Sequence, residues 1–208
     1  MLDQPYTIWA LLGPDQIPLW LKFSYTLFVC LVVPAYWVQY GPGNFLWFSD
    51  IALLTTVPAL WLESSLLASM MALAVVLLEL AWNIDFFVRL IAGISITGLS
   101  EYMFDSKIPL LIRAVSLFHI PLPILLVWMV YRLGYDSRAF VAQTLVACVV
   151  LPCSYLLTKP SENVNWVFGS GKKPQTWMPA PLYVALLMVL FPLVVYLPSH
   201  LVFKRLFG

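Results

Sequence analysis

Six ionisable side chains stand within or at the edges of apolar runs of this 208-residue chain: Asp50, Glu79, Asp85, Arg89, Arg113 and His119. In hydrocarbon each costs roughly 2.5–3.5 kcal/mol on insertion scales, so such groups face a bundle interior and mark a functional path or a structural pair. Asp85 and Arg89 are four apart, share one helical face and are expected to satisfy each other. Glu79 shares a face with Asn83, has no opposite charge nearby in sequence, and needs a partner from another helix, for which Arg113 is the expected candidate. Glu79, His119 and Asp50 are the candidates for acid–base or catalytic work. Ser116 and His119, three apart, fall on one side of a helix beside Pro121 and Pro123. A serine next to a histidine invites a nucleophile reading, but no Gly-x-Ser-x-Gly elbow accompanies it. The simpler expectation is a buried histidine bonded to a carbonyl that the prolines set free.

A second set of polar residues lies in the longest non-apolar stretch, residues 158–180, which holds Asn163, Asn165, Trp166, Lys172, Lys173 and Trp177. Lysines among tryptophans suit phospholipid headgroups, the ammoniums taking phosphate and the rings resting at headgroup depth. Arg113, Ser116, Lys172, Lys173, Trp166 and Trp177 are therefore the expected substrate-binding residues, with a surface loop anchored by aromatics as the alternative. No metal site is expected. Cys30, Cys148 and Cys153 fall in apolar runs without a His at ligand spacing. No haem or nucleotide motif is present, and no cofactor can be named from the sequence.

The elements that must hold these groups are membrane helices. The chain is 62% hydrophobic and 10% charged, with a mean hydropathy of +0.91, whereas soluble domains are roughly 45–50% apolar and about a quarter charged. A net charge of +1 gives no basic stripe, which excludes nucleic acid as a partner. Residues 24–49, 140–158 and 174–199 contain no Asp, Glu, Lys or Arg, and the strand alternation of a β-barrel is absent. The expected fold is an all-α polytopic transmembrane bundle, a single integral membrane domain over residues 1–208 with residues 1–15 lying at the interface. Seven spans are read at about 17–39, 45–62, 66–82, 84–99, 108–131, 139–157 and 181–202. Six with a re-entrant segment is the alternative, because the fourth stretch is short and rich in small residues. Trp20, Trp37, Trp47, Trp61, Trp82 and Trp128 fall near the span ends as an aromatic belt. The N-terminus lacks the basic region of a signal peptide, so no cleavage is expected. Arg132, Arg138, Lys204 and Arg205 sit close to span ends and favour a cytoplasmic C-terminus.

The segments Asn44-Phe45-Leu46-Trp47-Phe48-Ser49-Asp50-Ile51-Ala52-Leu53, Phe118-His119-Ile120-Pro121-Leu122-Pro123 and Asn165-Trp166-Val167-Phe168, the last followed by Lys173-Pro174, resemble the YwaF-like integral membrane family. That resemblance implies about seven helices around a polar pocket near Asp50 and His119. The family's animal relatives are phospholipid acyltransferases that use Cys and His. Where the family's second helix has Leu-His-Leu-Cys, this chain has Leu46-Trp47-Phe48-Ser49, so the cysteine mechanism is not carried over.

The expected function is that of a multi-pass protein of the cell membrane whose buried polar cluster of Asp50, Glu79, Arg113 and His119 binds or modifies a lipid. The alternatives are a proton-coupled carrier working through Glu79 and His119, and a structural subunit whose partners are other chains of a membrane complex.

Overall fold

The computed structural model describes residues 16–171 and 173–208. The interfacial segment expected over residues 1–15, and Lys172, lie outside the described residues. Within them the chain is all-helical and forms six rods. Five are long and apolar enough to cross a bilayer: Leu19–Tyr40, Ser65–Ala92, Leu110–Leu133, Ala139–Leu157 and Ala180–Phe207. The sixth is the shorter apolar helix Phe48–Trp61. In chain order the helices are α1 (Leu19–Tyr40), α2 (Phe48–Trp61), α3 (Ser65–Ala92), α4 (Leu110–Val115), α5 (Pro121–Leu133), α6 (Ala139–Leu157), α7 (Ala180–Leu190) and α8 (Leu197–Phe207). The fourth rod joins α4 to α5, and the last joins α7 to α8.

The expected third and fourth spans are one helix. Asn83 and Asp85, read as a border, lie in the middle of α3, and the helix stops only at Gly93, which takes the left-handed conformation (φ 72°) and donates its N–H to the Arg89 carbonyl. The small residues that follow do not form a span. They fold back along α3 because the Asp85 carboxylate collects their N–H groups: Ile96, Thr97 and Gly98 at Oδ1 (2.9, 2.7 and 3.2 Å), Ser100 N–H and hydroxyl at Oδ2 (3.0 and 2.6 Å). The expected Asp85–Arg89 pair is therefore replaced. Asp85 is fully buried as the anchor of residues 96–100, and the Arg89 guanidinium lies over the Phe104 ring at 4.9 Å.

Prolines interrupt two of the other rods. Pro121 and Pro123 supply no N–H to the carbonyls of Leu117 and His119, and Ser116–His119 tightens into a 3₁₀ turn between α4 and α5. Pro192 stands in a π-helical segment, Phe191–Tyr196, between α7 and α8.

α3 is the central helix: 56% of its most apolar window is buried, against 22% for α1, whose Trp20, Phe23, Leu27, Leu31 and Val38 point outward as a lipid-facing side would. At one end the bundle is closed. Glu63, in the turn between α2 and α3, accepts the N–H groups of Gln16 and Ile17 (3.0 Å each) and pairs with Lys22 at 2.9 Å, while Arg132 donates to the Gln16 carbonyl at 3.0 Å. Ile17, Ala59, Leu60, Ala68 and Met129 pack beneath. At the other end α2 stops short. Its 14 residues span about 21 Å, and the 28 of α3 about 42 Å, at 1.5 Å per residue. The space left beyond the α2 N-terminus is the site.

Candidate functional site

A cavity of about 610 Å³ occupies that end of the bundle, lined by residues from α1, α2, α3, the 3₁₀ turn before α5, and the segments around 41–47, 98–102 and 161–166. It gathers Asp50, Glu79, Ser116, His119 and Trp166 from the candidate residues. Asp50 belongs to the first turn of α2, and Glu79 comes from the facing stretch of antiparallel α3.

Glu79 and His119 form a pair, with Nδ1 of the imidazole 2.7 Å from Oε2 of the carboxylate. Glu79 therefore takes His119, not Arg113, as its partner. Against a carboxylate the Nδ1 position carries the proton, so in the neutral ring Nε2 is left as an acceptor. The ring is stacked between Trp82 and Phe118, with centroids at 4.6 and 4.1 Å. Its backbone is fixed as well. The His119 carbonyl, deprived of a helical donor by Pro123, accepts the Asn83 side-chain amide at 2.8 Å, and the same amide donates to the Glu79 carbonyl at 2.8 Å. The carbonyl freed by proline thus exists, but Asn83 occupies it and the imidazole is left for Glu79.

Ser116 does not form a dyad with His119. Its hydroxyl donates to the Ile112 carbonyl at 2.8 Å and accepts from the Tyr36 hydroxyl. Tyr102 faces the same oxygen; burial, then the neighbouring Tyr36 and Glu79 side chains, hold its phenol well above the ordinary value, so it remains a protonated donor. Ser116 is a junction between phenols.

Asp50 is buried, 4% exposed, and accepts the Asn44 amide on Oδ2 at 3.0 Å. Among the described residues its Oδ1 has no hydrogen-bond partner, nor does the buried Trp82 Nε1. Both residues line the cavity. Buried polar atoms are ordinarily paired, so these two unpaired atoms are exceptional among the residues of the wall.

The cavity rim is held by residues 163–166. Asn163, Asn165 and Trp166 have positive φ (42°, 50° and 58°), which is rare for non-glycine residues and most costly for a bulky one. The conformation is held by Asn165, 1% exposed, whose oxygen accepts the Phe48 N–H at the start of α2 (3.1 Å) and whose amide donates to the Leu46 carbonyl (2.7 Å) and the Ser154 hydroxyl (3.1 Å). Trp166 packs edge-on against Trp47 at 5.5 Å.

Other expected binding residues lie elsewhere. Arg113 is outside the cavity lining and donates to the Met103 carbonyl at 3.4 Å. Lys173 is exposed, and Trp177, 66% exposed, packs edge-on against Tyr183 at 5.9 Å. Conversely, the sequence reading assigned no site role to Tyr36, Asn44, Trp82, Tyr102 or Glu162, all of which line the cavity. Trp47 and Trp82 were expected in an interfacial belt. A signal for Trp82 was present in its placement three residues after Glu79, on the same helical face, once α3 is read as continuous. Among the described residues no group of three or more His, Cys, Asp or Glu is arranged to hold a metal ion.

The chain matches no family model, no curated protein and no solved structure in comparisons with each.

Proposed function

We propose that the chain is a multi-pass membrane protein that takes a lipid or lipid-derived ligand into the cavity between α2, α3 and the 161–166 segment, where the Glu79–His119 pair acts on it as acceptor or base. The observation that carries this reading is the convergence of Asp50, Glu79 and His119 from three separate rods on one hollow of about 610 Å³. That volume is within the range of small-ligand pockets, and the wall combines apolar rings with a few polar atoms, as such sites do. Glu79 orients the imidazole and leaves Nε2 available, the arrangement of a histidine held ready for proton transfer. In this reading the C-terminus faces the cytoplasm and the cavity opens on the opposite side.

The carrier alternative requires a polar route to both faces. The far end is instead filled by Ile17, Ala59, Leu60, Ala68 and Met129 under the Glu63 contacts, which favours a one-sided binding site.

The test is to purify the protein in mild detergent and identify co-purifying lipids by native mass spectrometry, comparing the wild-type chain with Glu79→Gln, His119→Gln and the surface variant Lys107→Ala. A bound molecule retained by wild type and Lys107→Ala, and reduced at least tenfold in the two cavity variants, is the expected result. Equal retention in all four overturns the reading.

A further inference from the structure

The charge and chemistry of the lining specify a ligand class. Three carboxylate side chains, Asp50, Glu79 and Glu162, line the cavity, and among the described residues no lysine or arginine does. His119 engages Glu79, so one carboxylate is partly answered. Among the described residues Asp50 is answered only by the neutral Asn44 amide, and its buried Oδ1 has no partner. Around these acceptors stand the rings of Tyr36, Tyr40, Trp47, Tyr102 and Trp166. Carboxylate oxygens among the π-faces of Trp and Tyr are the elements that recognise an ammonium group. An anionic group would meet those carboxylates with no cation to offset them. We propose that the cavity binds an organic ammonium ion, with the Asp50 carboxylate as its counter-ion and the surrounding rings enclosing its alkyl substituents.

The inference rests on the cavity being a binding site and adds the charge of the guest. It also separates the site from Lys173, which lies outside the cavity and suits phosphate. The ammonium group can arrive as a small amine or as an amine-bearing headgroup, and the two are distinguished by the probes. Purified protein in nanodiscs of phosphatidylglycerol is titrated with choline, with ethanolamine, and with 3,3-dimethyl-1-butanol, the uncharged carbon isostere of choline, and binding is read by calorimetry and tryptophan fluorescence. Saturable binding of either cation, at least tenfold tighter than of the isostere and weakened at least tenfold in Asp50→Asn, is the expected result. Trp47→Leu provides a second variant, expected to weaken cation binding several-fold, should Asp50→Asn fail to fold. If neither free cation binds, native mass spectrometry of protein from mixed phosphatidylethanolamine and phosphatidylglycerol nanodiscs should show selective retention of the amine-bearing lipid in wild type and its loss in the variants. Isostere binding equal to choline, or selective retention of phosphatidylglycerol, overturns the ammonium assignment and leaves the cavity as a binding site. Absence of any bound guest in both formats overturns both.

Discussion

Asp85 shows how a single buried charge shapes this chain. An ionised carboxylate with no exposed surface is tolerable only when its oxygens are saturated, and four N–H groups and one hydroxyl saturate this one. Removing it leaves those donors orphaned. Asp85→Ala should destabilise the protein by about 3–5 kcal/mol, the range for breaking a buried charge network, as measured by chemical denaturation in detergent. Asp85→Asn, which turns an acceptor into a donor, should recover only part of the loss. At the opposite end, Glu63 titrates outside the spans. Burial would raise its pKa, but the N–H groups of Gln16 and Ile17 and the Lys22 ammonium outweigh it and hold the carboxyl below the ordinary value of 4.5. A depressed folded-state pKa contributes stability that is complete above the unfolded value and lost as pH falls through the folded one. The wild-type advantage over Glu63→Gln should therefore be constant near neutral pH and shrink below about pH 4.5. An unchanged difference down to pH 3 would show that the carboxylate charge contributes nothing there.

Among the elements, α3 carries the most consequence. Gly93 ends it in a left-handed conformation with open space where a Cβ would stand, so Gly93→Ala should cost only the conformational penalty, about 1–2 kcal/mol. A larger effect in an unfolding titration would point to a steric role that the geometry lacks. Pro123 has a different task. Pro123→Ala returns an N–H that competes with Asn83 for the His119 carbonyl, and should lower the Asn83 contribution without unfolding the rod. Hydrogen exchange at residues 116–123 should slow as the regular helix bond forms. Helix character, the charge-free spans and the kink before Pro121 were legible in the sequence, because hydropathy and proline act locally, whereas the meeting of Asp50, Glu79 and His119 on one cavity depends on long-range packing. The continuity of α3 was not, since Asn83 and Asp85 resemble a border until their partners on distant segments are known. The same misreading assigned Trp82 to an interface, while four-residue spacing alone assigned Asp85 to Arg89. The loop over residues 158–180 was legible as polar, but not that it divides, with residues 161–166 on the cavity and Trp177 away from it.

At the scale of the molecule, the merger of two expected spans changes parity. Among the described residues six rods return the chain to the end that holds Gln16, so residues 63 and 136 and the C-terminus share one face, and residues 105 and 162 share the other. With seven, the first and last would be opposed. Single cysteines introduced at Asp136 and Ser161 in a background lacking Cys30, Cys148 and Cys153 should be modified by an impermeant maleimide from opposite sides of sealed vesicles, and cysteines at Glu63 and Asp136 from the same side. Labelling of Glu63 and Asp136 positions from opposite sides would refute the six-rod path.

The Glu63 contacts also decide how this protein can move. Three chain segments are riveted together there, while the other end is seamed by side-chain contacts across loops, Asn165 foremost. A structure fastened at one tip and stitched at the other yields by splaying like a peg, its pivot at the rivet. Under the proposed function, a guest would enter by undoing Asn165 and parting the loops, with the fastened tip shut throughout.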